Sequence, residues 1–174
     1  MRFFLLKQDE RIKNFAAISG KIDDKKIWND TNPIYIPYKV AEPSEYIYFL
    51  PFMEKPLLGK SIFIASEKAK AVFNTYQSQV IYRDFGLGDL RARKLKVYYF
   101  MKPLEIDCLS DKTEFIRNNI VKKIVLDIKK IGSHKVFTIK NVYGSYLVVS
   151  QEVVETLLSR RMNEIKFIEL ECEV

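Results

Sequence analysis

Two separated stretches of the chain are written in the same grammar. Ile62-Phe63-Ile64-Ala65-Ser66 and Tyr146-Leu147-Val148-Val149-Ser150 each run apolar residues into a serine, 84 positions apart. After the first serine, Ala69, Val72, Phe73 and Tyr76 recur at the i, i+3, i+4, i+7 spacing of one helical face. After the second, Val153, Val154, Leu157 and Leu158 make the equivalent stripe. Ser66 and Ser150 stand where an N-cap hydroxyl can take an orphan amide, with Glu67 and Glu152 just inside, where the helix dipole favours an anion. Strands follow at Val80–Tyr82 and Ile165–Leu170, Ile81 matching Ile165 at the same offset. Either the chain carries a duplicated strand–helix–strand unit or two copies of a common pattern coincide by chance.

The rest of the chain is strand-prone. Phe3–Leu6, Lys135–Lys140 and Ser145–Val149 read as strands, the last two flanking a hairpin turn at Asn141–Gly144. Lys94–Met101 alternates, with Leu95, Val97 and Tyr99 on one face and Lys94, Lys96 and Tyr98 on the other, a half-buried strand. Asp84–Asp89, with Gly86 and Gly88, reads as a turn-rich loop. Residues 9–32 read as loop and turn. Residues 34–53 are aromatic but cut by Pro37, Pro43 and Pro51, which suits edge strands or extended loops. Strict strand–helix alternation is missing, so the expected class is α+β, with mixed or mainly antiparallel sheets and two short amphipathic helices. At 174 residues the chain is one domain, with 1–56 (irregular and β) and 57–174 (α+β) as sub-lobes.

Composition removes several chemistries. One histidine, His134, leaves no HExxH zinc site and no two-histidine acid–base pair. Cys108 and Cys172 make no disulfide framework and read as reduced thiols. The FGLGD segment is followed by a charged strand rather than a helix, so it is no phosphate cradle. Glu105 and Asp107 alternate on one edge and read as solvated, and no G-x-S-x-G elbow exists to use His134. No cofactor or metal is expected. Phe3–Leu6 is followed at once by charge, leaving no signal-peptide core, and no stretch is long and apolar enough to span a membrane; a cytoplasmic protein is the expectation.

The formal charge of +7 is spread evenly along the chain. Its concentrations are Arg91, Arg93, Lys94 and Lys96, and Arg117, Lys122, Lys123, Lys129 and Lys130. Tyr98 beside Lys94 and Lys96 could make a basic strip with an aromatic platform, the arrangement of single-strand binders. A solvated face explains the same residues. With no catalytic constellation, the chain reads as a binder rather than an enzyme.

From about residue 57 onward the sequence resembles a bacterial family, the immunity-protein domain of polymorphic toxin systems (immunity protein eleven type), formerly a domain of unknown function. The resemblance lies in SIFIASEKAKAVFNTY, VIYRDF, VYYFMKPLEIDCLSDKTEF and VFTIKN followed by SYLVVSQEVVETLLSRRMNEIKFIEL. The opening MRFFLLKQDERIKN is similar to the start of such proteins. Where the family often has an Asp after Leu109, this chain has Ser110-Asp111. The resemblance implies a non-enzymatic protein that neutralises a cognate toxin by covering its active site, with no catalytic residues to carry over. The candidate anchors are Tyr98, Tyr143, the tyrosines of 35–48, Phe85 through Asp89, Lys94 and Lys96. A basic inhibitor suits a toxin with an acidic or neutral mouth. The alternative is a basic nucleic-acid-binding module.

Overall fold

The structure, a computed structural model, describes residues 1–41, 46–89 and 93–174. Pro43 and Arg91 lie outside the described residues. In chain order the elements are β1 (Phe3–Gln8), β2 (Ala17–Ile18), α1 (Asp24–Asn29), β3 (Tyr35–Lys39), β4 (Phe52–Leu57), β5 (Lys60–Ser66), α2 (Glu67–Tyr76), β6 (Ile81–Asp89), β7 (Lys94–Lys102), β8 (Leu104–Ile106), β9 (Glu114–Arg117), β10 (Ile120–Lys123), β11 (Val125–Asp127), α3 (Ile128–Ile131), β12 (Val136–Ile139), β13 (Leu147–Ser150), α4 (Gln151–Ser159) and β14 (Ile165–Glu173). This is an α+β fold. One six-stranded sheet has the order β2-β3-β6-β7-β5-β4, the other β11-β14-β1-β13-β12-β8, and β9 and β10 form a separate hairpin.

The repeat is built into the ladders. In the hairpin β4–β5, Phe52 pairs with Ala65 and Glu54 with Phe63; in β12–β13, Val136 pairs with Val149 and Thr138 with Leu147, each 84 residues on. Ser66 N donates to Pro51 O at 2.9 Å, and Ser150 N to Lys135 O at 2.9 Å. Beyond the helices the offset changes by one. Phe85 pairs with Tyr98 as Leu170 pairs with Phe3, and Leu87 pairs with Ile36 as Cys172 pairs with Leu126. Val80, rather than Ile81, is therefore the counterpart of Ile165, because the chain from Ser150 to Leu170 is one residue longer than that from Ser66 to Phe85.

Each unit is a split β–α–β. β5 and β6 flank an antiparallel β7; β13 and β14 flank an antiparallel β1. The N-terminal strand fills in the second unit the place that β7 fills in the first. Residues 1–56 thus contribute to both sheets.

The two units share one core. Ala69, Val72 and Phe73 of α2 and Val153, Val154 and Leu157 of α4 pack with Leu6, Phe63, Met101, Val136, Leu147 and Ile165 from both sheets. The Tyr76 hydroxyl meets Thr156 Oγ1 at 2.7 Å between the helices. Leu158, read as part of the buried stripe, is exposed. The outer face of each sheet has its own core. One holds Phe85, Tyr98 and Phe100 under residues 12–41 and 46–50; the other holds Phe3, Cys108, Leu126 and Phe137.

Three short elements were not expected. Asp23 caps α1 by accepting from Lys25 N, and Asp127 caps α3 by accepting from Lys129 N and Lys130 N. Asn118 and Asn119 both take positive φ, 46° and 62°, the requirement of the tight turn that joins β9 to β10.

Both serines occupy N-cap positions, but they do not act alike. Ser66 Oγ accepts from Ala69 N at 3.2 Å. Ser150 Oγ is buried without a partner. Ser66→Ala should cost about 1 kcal/mol in denaturant unfolding and Ser150→Ala only a few tenths. Equal losses would show that the second cap bond forms in solution.

Candidate functional site

Glycine opens the far end of β6. The segment Asp84–Asp89, expected as a loop, is strand throughout, paired with β7 from Ile81↔Lys102 to Asp89↔Lys94. A strand tolerates Gly86 and Gly88 here because other groups fill the space of a side chain. A Cβ on Gly88 would lie 2.1 Å from the Lys94 carbonyl oxygen and 2.6 Å from Leu95 Cδ2; one on Gly86 would lie 3.0 Å from Tyr35 Cδ1. Tyr35 and Leu95 therefore lie over the two glycines.

That face of β7 alternates Leu95, Val97, Tyr99 and Met101. α2 starts level with Tyr98, which pairs with Ser66, and packs back over the later residues. Met101 joins the shared core, and the Lys70 ammonium sits 3.9 Å from the Tyr99 ring centre. The described residues leave Leu95 and Val97 only half covered. They are 52% and 50% exposed, and Tyr35 beside them is 60% exposed. Three large apolar side chains over a glycine floor make a continuous apolar surface at the open end of the sheet.

The opposite face reverses the expectation for Tyr98. Tyr98 and Phe85 are buried, stacked on one another at 6.2 Å with Phe100 4.2 Å from Phe85. The Tyr98 hydroxyl donates to Leu50 O at 2.8 Å, and burial pushes its ionisation well above the ordinary tyrosine range. Residues 12–41 and 46–50, from stretches that read as loop and edge in the sequence, cover this face, so neither ring is a surface anchor or a stacking platform. Lys94 and Lys96 stay exposed because they lie at the strand's open end; the Lys96 ammonium rests 4.8 Å from the Phe49 ring centre.

The other candidates are scattered. Asp89 is at the last rung of the β6–β7 ladder, opposite Lys94. Tyr143 is exposed at the opposite end of the sheet, where its ring lies against Gly59 and its N–H donates to Asn119 O at 2.8 Å. Tyr46 and Tyr48 are exposed. Within the second basic cluster Lys122, Lys123 and Lys130 are ion-paired with Glu114, Glu171 and Asp127. Glu105 and Asp107 are exposed around the edge strand β8. His134 Nδ1 lies 3.3 Å from Gln77 Nε2. Cys108 is fully buried and its thiol pKa is pushed up to about 12 by desolvation, then by Asp107. Both cysteines are free thiols. Among the described residues no group of three or more His, Cys, Asp or Glu converges as a metal site would, and no helix is long and apolar enough to cross a membrane.

Tyr35 is among the candidate anchors of the sequence, but Leu95 and Val97 are not, because alternation alone does not say which face of a strand a neighbouring helix will cover.

Two substitutions test this geometry. Gly88→Ala should destabilise by about 2 kcal/mol or more, because the new carbon meets backbone. Tyr98→Phe should cost about 1 kcal/mol by leaving the Leu50 carbonyl unpaired, without changing any surface-binding property. Urea unfolding measures both. Cys108 should stay unmodified by a thiol reagent at pH 8 until the protein unfolds.

No family model, no curated protein and no solved structure matches the chain.

Proposed function

We propose that the protein is a non-enzymatic protein-binding module that neutralises a bacterial toxin by covering its active site, acting in the cytoplasm of the cell that makes it. The observation that carries this reading is the apolar surface of Tyr35, Leu95 and Val97. Exposed apolar side chains gathered at one place, and ringed by charge, are what a specific protein interface uses at its centre. They stand on three hydrogen-bonded strands, β3, β6 and β7, backed by the Phe85–Tyr98–Phe100 stack. Such a support holds the contact residues in one geometry, so little ordering entropy is lost on binding. The sequence resemblance to immunity proteins agrees with this mode of action.

A second reading, a nucleic-acid-binding module, draws on Lys94 and Lys96. It loses its proposed stacking residue, since Tyr98 is internal.

The test is protection. The gene immediately upstream should encode a large secreted toxin, and cells expressing that toxin's C-terminal domain should survive when this chain is co-expressed. Changing Leu95 and Val97 together to Asp should abolish protection and weaken the complex by about 100-fold or more, with the thermal midpoint little changed because both side chains are half in water. Failure of the unaltered chain to protect overturns the reading. So does turnover of a small molecule by purified protein that one side-chain change removes.

A further inference from the structure

The two repeat units contain the same niche, and only one of them is closed. In each unit the niche lies where the N-terminus of one helix, the strand segment before its hairpin and the turn after the other helix meet. On the second unit the niche is fastened shut. Gln77, which ends α2, accepts from Lys135 N at 3.1 Å, and the Lys135 ammonium reaches Glu152 of α4 at 3.0 Å.

On the first unit each closing group has been replaced. Aligned through Phe73 and Leu157, whose carbonyls accept from Gln77 N and Met162 N, Gln77 becomes Met162; by the 84-residue offset Lys135 becomes Pro51 and Glu152 becomes Lys68. Pro51 has no N–H to donate, and Lys68 cannot pair with a cation. A cleft of about 560 Å³ is left open. The fold does not require this opening, because the same backbone closes it on the other side.

The open cleft has a consistent chemistry. Its apolar floor is Phe49, Pro51, Leu95, Val97 and Met162, so it is continuous with the apolar surface described above. Its rim carries Lys68, Lys96, Arg160 and Arg161 against two carboxylates, Glu67 and Glu164. Among the described residues none of the four cations has a carboxylate within ion-pair distance, whereas nine other basic side chains do. Arg161 also stands in a backbone conformation that favours glycine. Its φ is 61°, at the turn where Arg161 N donates to Leu158 O and Met162 N to Leu157 O. The chain keeps a cation at a position where glycine would be more stable.

We propose that this cleft receives a protein partner's segment in which two or more carboxylates flank an apolar side chain. The apolar group seats on Leu95, Val97 and Met162, and the carboxylates pair with Arg160, Arg161, Lys68 and Lys96. The inference deepens the protein-binding reading and rests on it for the partner's being a protein.

The test uses isotope-labelled full-length chain titrated with the peptide acetyl-Glu-Asp-Leu-Phe-Asp-Glu-amide and followed by amide chemical shifts. Saturable shifts should centre on Lys68, Lys96, Val97 and Arg161, and affinity should fall several-fold between about 50 mM and about 300 mM salt. Arg161→Gly should melt higher yet bind about fivefold more weakly. A triple variant that copies the closed niche, P51K/K68E/M162Q, should lose the peptide altogether. No saturable shifts, equal shifts with acetyl-Lys-Lys-Leu-Phe-Lys-Lys-amide, or stronger shifts of the same amides with oligothymidylate would each overturn the proposal, the last in favour of nucleic acid. Full toxin protection by the triple variant would remove the cleft while leaving the neutralising role standing. Peptide binding without protection by the unaltered chain would do the reverse.

Discussion

One shared core holds this molecule together. α2 and α4 each present a narrow apolar stripe, too little to bury a six-stranded sheet alone, and they bury it against each other and both sheets at once. Phe73 and Leu157 are fully buried there, each contributing on the order of 2 kcal/mol of apolar transfer. Because the helices occupy the space between the sheets, the ends of the strands that they do not reach are left bare. The exposed triad Tyr35, Leu95 and Val97 follows from where α2 begins.

The structural repeat also accounts for the position of the first strand. A β–α–β unit of this kind needs a central antiparallel strand between its two parallel ones. β7 supplies it in the first unit, directly after β6. In the second unit β1 takes that place, and Phe3 stands opposite Leu170 as Tyr98 stands opposite Phe85. Ladder hydrogen bonding and core packing thus join the two ends of the chain in one sheet. Two units that keep their backbone registers can still diverge at their surfaces. Gln77, Lys135 and Glu152 close a niche that Met162, Pro51 and Lys68 leave open.

Much of the repeat was legible in the sequence. Ser66, the i, i+3, i+4 stripe and the flanking apolar runs name a strand, a cap and a helix through local rules, and the structure contains them. Local rules failed where the partner of a residue is distant. Gly86 and Gly88 signal a turn unless the chain places Leu95 and Tyr35 on top of them. The alternation in Lys94–Met101 does specify a strand, but polarity alone misassigns its faces. The lysine face proved to be the one that carries Tyr98 into a core. Ser150 looks like Ser66 in sequence, yet its hydroxyl makes no cap bond.

What the amino-acid order settled is therefore the local grammar: an α+β class, two capped or cap-placed helices, a hairpin at Asn141–Gly144, and the absence of several histidine-dependent chemistries. These depend on backbone preference and periodicity within a few residues. Which faces are wet, which tyrosine is internal, where β1 inserts and which of two equivalent niches stays open depend on groups far apart in the chain. Gln77 and Lys135 are 58 residues apart. Their hydrogen bond, and its loss where Pro51 stands, exists only once the two units have packed together.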